Sequence, residues 1–148
     1  MSENAMKTAT PAVQSAPLLG FWYPALLSKT VRPGHMQAQT LLDLPLVICR
    51  DSQGRIAALR DLCPHRAMPL SFGRFDGARL ECPYHGWQFD LDGRCRHIPT
   101  LVEDADLQTE KIGVRTYPAC DQDGYVWVYI PDRQGLPATL PDVPKLPL

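Results

Sequence analysis

No run of 18 or more apolar residues occurs in the 148-residue sequence, so no membrane-spanning helix is expected. Neither charge is in surplus. Fifteen Lys and Arg stand against sixteen Asp and Glu, a net charge of −1, and the basic face that nucleic acid requires is missing. A secretory signal is also lacking. Residues 1–17 contain Lys7 and then only short stretches of Ala, Thr, Pro and Ser, without the apolar middle that export needs. That segment reads as a mobile tail, and the chain reads as soluble and cytoplasmic. The five cysteines are an odd, widely spaced set in a chain without an export signal, which argues against a disulfide framework. Long helices are disfavoured too, because fifteen prolines and ten glycines interrupt the chain and each interior proline costs a helix about 3 kcal/mol.

What is present is the grammar of a small all-β domain. The apolar content of 45% suffices for one modest core. The globular signal begins at residue 18 with the apolar run to Leu27. Residues 36–42, 44–50 and 56–62 read as strands rich in Leu, Val and Ile, the last two joined by a turn at Asp51-Ser52-Gln53-Gly54. Asp76-Gly77, Asp92-Gly93 and Asp123-Gly124 repeat that punctuation before further strands at 78–81, 94–98 and 125–130. The last has the strongest β-propensity in the chain and is expected in the core. Short strands with frequent turns suggest an antiparallel sandwich or small barrel. Residues 102–111 have weak helical or irregular character. From Pro131 onward the prolines recur at 137, 141, 144 and 147, so residues 131–148 read as an extended linker or an arm laid on a partner.

Two short segments carry the chemistry: Cys63-Pro64-His65-Arg66 and Cys82-Pro83-Tyr84-His85-Gly86-Trp87. Sixteen residues separate His65 from Cys82, giving C-x-H-x16-C-x2-H. Each half offers one thiolate and one imidazole, with proline directly after the cysteine to stiffen the turn. Zinc accepts both ligand types. Zinc sites, however, usually open with paired cysteines and close with paired histidines. One ligand of each kind per loop fits a two-iron cluster better, with both thiolates on one iron and both imidazoles on the other, as in Rieske centres.

Residues 18–130 resemble the Rieske domain of the Rieske non-haem iron oxygenases, the ring-hydroxylating and demethylating enzymes. The resemblance rests on Asp61-Leu62-Cys63-Pro64-His65-Arg66, on residues 80–90 (Leu-Glu-Cys-Pro-Tyr-His-Gly-Trp-Gln-Phe-Asp), on Gly93-Arg94-Cys95 and on Ile98-Pro99. Phe21-Trp22-Tyr23-Pro24 is similar to the family's opening strand. Ala67 departs from it, since glycine is more usual there. The resemblance implies an antiparallel β-sandwich with a small two-loop cluster-binding subdomain, and one [2Fe–2S] cluster per chain. It implies that Cys63 and Cys82 hold the inner iron and that His65 and His85 hold the outer iron, which takes the electron.

Respiratory Rieske proteins carry an extra cysteine in each loop and a serine after the second His-Gly. Here Met68, Tyr84 and Trp87 stand at those positions. Fewer donors to the sulfurs imply a low reduction potential and argue against membership of a respiratory complex. Cys49, Cys95 and Cys120 read as buried thiols without a ligand role, Tyr84 and Trp87 as groups that shield the cluster from water. Arg66 reads equally as a backbone anchor or a charge beside His65.

In the family, a second domain binds a mononuclear iron through two histidines and a carboxylate. Of four histidines only His35 and His97 remain for such a site, and no facial triad can be built from them. The chain is therefore expected to act as the Rieske part of a terminal oxygenase, as a fragment or a subunit, or else as a free-standing Rieske ferredoxin. Its expected donor is a reductase or ferredoxin and its acceptor a mononuclear-iron oxygenase domain; the family's ring-shaped trimers make a homo-oligomer possible, and nothing in the sequence itself shows one.

Overall fold

A strand whose successive residues are all apolar has no face to give to water. Residues 44–49 and 56–59 are such segments, and the fold is built around them. The computed structural model describes residues 18–99 and 112–147. The N-terminal segment 1–17 and the stretch 102–111, expected to be irregular, lie outside the described residues.

The described residues form an all-β, antiparallel architecture without an α-helix. The strands are β1 (Phe21–Leu27), β2 (His35–Leu41), β3 (Leu44–Arg50), β4 (Ile56–Arg60), β5 (Arg74–Phe75), β6 (Arg79–Glu81), β7 (Gln88–Asp90), β8 (Cys95–His97), β9 (Thr116–Tyr117), β10 (Ala119–Gln122) and β11 (Tyr125–Ile130). They assemble as three sheets, in the orders β1-β11-β10, β2-β3-β4-β9 and β5-β6-β7-β8. The expected strands at 36–42, 44–50, 56–62, 78–81, 94–98 and 125–130 correspond to β2, β3, β4, β6, β8 and β11.

The β2-β3-β4-β9 sheet is the middle layer. In the β3–β4 ladder Ile48 faces Ala58, and Val47 faces Leu59. Because side chains alternate along a strand, Leu46, Ile48, Ile56 and Ala58 point one way, into a core shared with Val126, Val128 and Ile130 of β11. Val47, Cys49, Ala57 and Leu59 point the other way, into a second core shared with Leu80, Phe89, Leu91 and Cys95. The first core closes the sandwich. The second fastens the β5-β6-β7-β8 subdomain, with both chemistry-bearing loops, to the sandwich.

Residues 131–147 contain no strand. They lie along the β1-β11-β10 sheet, where the Trp22 indole N–H donates to the Pro141 carbonyl (2.7 Å) and Gln122 Nε2 donates to the Pro144 carbonyl (3.0 Å).

Candidate metal centre

Two turns of the same design carry the four ligand candidates. In residues 63–68, which follow β4, the Cys63 N–H donates to the Met68 carbonyl (2.8 Å) and the Ala67 N–H returns to the Cys63 carbonyl (2.7 Å). In residues 82–87, between β6 and β7, the Cys82 N–H donates to the Trp87 carbonyl (2.8 Å) and the Gly86 N–H to the Cys82 carbonyl (3.0 Å). The fifth residue of each turn is left-handed, with φ of +54° at Ala67 and +73° at Gly86. The histidine is third in the first loop and fourth in the second. The loops are therefore related by backbone design, with the imidazoles offset by one residue.

The second core buries both cysteines, Cys63 at 1% exposure and Cys82 at 3%, while His65 and His85 are exposed. The Cys63 thiol is pushed up to about 11 in all, chiefly by burial and further by the adjacent Cys82 thiol, against the opposing pull of the His65 backbone N–H. The His65 and His85 rings meet edge to face at 5.0 Å. His65 lies below the ordinary imidazole value, first through loss of surrounding water, then through the charges of His85 and Arg66. Two interior thiols and two surface imidazoles are the donor set of a cluster with one sulfur-ligated and one nitrogen-ligated iron. Thiols inside and imidazoles outside fit a pair of irons with unlike ligands.

The surroundings hold the loops in place. Asp61 is 6% exposed, and its carboxylate accepts from the Ser71 N–H (2.7 Å) and the Ser71 hydroxyl (2.5 Å). These bonds tie the end of β4 to the 3-10 turn Leu70–Phe72 and close the base of the first loop. Gly73 beyond that turn passes so close to the second loop that a Cβ there would lie 1.9 Å from the Glu81 carbonyl oxygen. Tyr84 stands edge-on to His85 at 4.2 Å between ring centroids, and Trp87 lies flat on His65 at 4.4 Å.

Other candidates from the sequence lie elsewhere. Cys49 and Cys95 are buried in the second core and Cys120 is half-buried; all three thiols are raised chiefly by burial. His35 on β2 and His97 on β8 are exposed strand residues. Sequence reasoning missed the Asp61–Ser71 anchor and the Trp87–His65 stack. Asp61 next to an apolar strand and just before a ligand loop was the available signal for the first. Nothing in the sequence pairs Trp87 with His65, which lies on the other loop.

A family model described as the Rieske [2Fe-2S] domain matches residues 21–118. The chain is 38% identical over 131 residues to chlorophyllide a oxygenase, chloroplastic, of Chlamydomonas reinhardtii, covering 88% of this chain and 19% of that protein. It is 37% identical over 123 residues to the oxygenase component of dicamba O-demethylase of Stenotrophomonas maltophilia, covering 82% of this chain and 35% of that protein. The crystal structure of apo dicamba monooxygenase superposes with a TM-score of 0.72 at 35% identity, over 86% of this chain and 39% of that one. The chain thus spans between a fifth and about a third of these curated relatives. Its two equivalent loops, thiols inward and imidazoles outward, belong to a domain whose cofactor is a Rieske-type [2Fe–2S] cluster, and the chain is a member of the Rieske family found in the non-haem iron oxygenases.

Proposed function

We propose that Cys63 and Cys82 hold one iron of the cluster and His65 and His85 the other, and that the chain serves as the electron-transferring Rieske part of a terminal oxygenase. The observation that carries this reading is the pairing of two buried thiols and two exposed imidazoles on loops of one backbone design. When bound, the cluster supplies a one-electron couple. The residues around it divide the remaining work. The second core keeps water from Cys63 and Cys82, and the exposed edges of His65 and His85 are the points at which a redox partner makes contact.

In this reading a reductase or ferredoxin is the donor, and a mononuclear-iron oxygenase domain outside these residues is the acceptor. Residues 18–130 act as the domain, 1–17 as a tail and 131–148 as an arm or linker. The oxygenase role is preferred to that of a free-standing carrier because the relatives named above carry this domain within longer oxygenase chains. A cytoplasmic location is part of the proposal, although relatives named as chloroplastic carry the domain in another compartment.

The test is iron and acid-labile sulfide analysis of the anaerobically purified protein, with EPR of the reduced form. The wild-type chain is compared with Cys63→Ala, His65→Ala, Cys82→Ala and His85→Ala. The proposal expects a [2Fe–2S] stoichiometry in the wild type and loss of the native signal in each variant. One zinc ion per chain, or an intact native signal in any of the four variants, contradicts it.

A further inference from the structure

The two imidazoles are not held alike. Trp87, the last residue of the second turn, has its backbone fixed by the hydrogen bond from the Cys82 N–H (2.8 Å) and its side chain packed against the second core. From that anchored position its indole reaches across to the first loop and lies on the His65 imidazole, centroids 4.4 Å apart and planes 12° from parallel. The contact between the histidines themselves is edge-on at 61°. The remaining neighbour, Tyr84, meets His85 edge-on at 66° and is itself 52% exposed. So His65 leans on a ring rooted in the core, whereas His85 leans on a ring at the surface.

An imidazole turns freely about its outer side-chain torsion, which has only broad preferences. In metal sites that freedom is usually removed by a hydrogen bond to the second ring nitrogen. Beside His65 the neighbour is instead the face of Trp87, 12° from parallel, and beside His85 it is the edge of Tyr84. A flat, core-anchored indole does the same work by a different means, since rotating the His65 ring would break the stack.

We propose that Trp87 is the positioning residue for His65: by stacking on the imidazole it fixes the plane in which His65 presents its nitrogen, and it covers one face of that ligand from water. This inference rests on the ligand assignment proposed above. It adds to the shielding role expected for Trp87 a specific partner on the opposite loop and a specific asymmetry between the two histidines.

The test uses the whole chain, labelled with 15N-histidine, as wild type, Trp87→Phe and Trp87→Leu. Pulsed EPR of the reduced protein reads the nitrogen coupling of each ligand imidazole separately, and redox titration reads the midpoint potential. In Trp87→Leu one of the two couplings broadens and shifts while the other stays at its wild-type value. The potential rises, because water admitted to the uncovered imidazole face stabilises the charge taken up on reduction. Trp87→Phe keeps a flat ring and restores both readouts. A Leu variant that assembles no cluster beside a Phe variant with wild-type couplings also supports the proposal, since an aromatic face is then what the position requires.

The opposite results are equally definite. A Leu variant with unchanged couplings and potential overturns the proposal. So do couplings that change together in both variants, and failure of both variants to assemble, which would make Trp87 a general core residue. Failure of the underlying ligand assignment is separately visible, because the wild-type protein itself would then lack coupling to two imidazole nitrogens.

Discussion

Ala67 and Gly86 occupy the same place in the two cluster loops. Each sends its N–H back to the carbonyl of the loop's cysteine, and each has a left-handed backbone. Glycine adopts that conformation freely, whereas an L-residue pays about 1–2 kcal/mol for it. The cost is partly offset because glycine loses more backbone entropy on folding, about 0.5–1 kcal/mol. Ala67→Gly is therefore expected to raise the stability of the domain by up to about 1 kcal/mol. Gly86→Ala is expected to lower it by more than that, because the new Cβ would also stand 3.2 Å from Pro99 Cγ. Denaturant unfolding of the two variants, read as a change in midpoint at constant slope, measures both effects.

The buried Asp61 carboxylate serves the same loop from below. Asp61→Ala removes both acceptors of Ser71 and leaves a half-buried N–H and hydroxyl without their partner. A loss of about 1–3 kcal/mol is expected. Hydrogen exchange of the Ser71 amide should accelerate more than that of the amides in β3, because β3 lies beneath two cores. Equal acceleration at both places would count against a local anchoring role.

The legible part of this fold was the part set by side-chain pattern. The all-apolar runs of β3 and β4 marked the middle layer, and the Asp-Gly pairs marked turns because Asp side chains cap them, as Asp76 does through the Ala78 and Arg79 N–H groups (both 2.8 Å). The four ligand candidates stood out because each loop mixed a thiol and an imidazole at close spacing. Elements without such a signature were missed. The β2–β3 hairpin turns at Leu42 and Asp43, with φ of +54° and +63°, and leucine gives no hint of that conformation. Strands β5 and β9 are two residues each and are defined by their ladders rather than by their own sequence. The left-handed backbone at Ala67 was foreshadowed only by its departure from glycine. The Trp87–His65 stack joins two loops, and no local pattern encodes it.

Acid should loosen the sandwich at one identifiable joint. Arg50 on β3 donates to both carboxylate oxygens of Asp121 on β10, at 2.8 and 2.9 Å, and also to the Val31 carbonyl at 2.7 Å. The hydrogen bond from Arg50 holds the Asp121 carboxyl below its ordinary value, against the opposing effect of partial burial. A depressed carboxylate contributes stability that is fully present above the unfolded value of about 3.9 and is lost as pH falls through the lower folded value. Wild-type stability should therefore drop more steeply below pH of about 4 than that of Asp121→Asn. Parallel curves for the two proteins, from unfolding midpoints measured as a function of pH, would remove Asp121 from the account.

The reduction potential should fall toward the low end of the Rieske span, which runs from roughly −150 to +300 mV. Met68, Tyr84 and Trp87 stand where disulfide cysteines and a hydroxyl donor would otherwise stabilise the reduced state. Met68 gives the first loop a backbone acceptor for Cys63, and Trp87 gives the second loop one for Cys82. Met68 and Trp87 carry no hydroxyl, and the Tyr84 ring, 52% exposed, is set edge-on against His85. Protein-film voltammetry giving a reversible couple above about +200 mV would contradict this reasoning.

The central claim is that two buried thiols and two exposed imidazoles divide the irons of one cluster between them. Mössbauer spectroscopy of the 57Fe-labelled protein, oxidised and then reduced by one electron, tests it most directly. The account predicts two inequivalent iron sites in equal amount. One has all-sulfur ligation from Cys63 and Cys82 and stays ferric on reduction. The other carries the His65 and His85 nitrogens and becomes ferrous. Two equivalent sites, or reduction localised on the sulfur-ligated iron, would contradict the account.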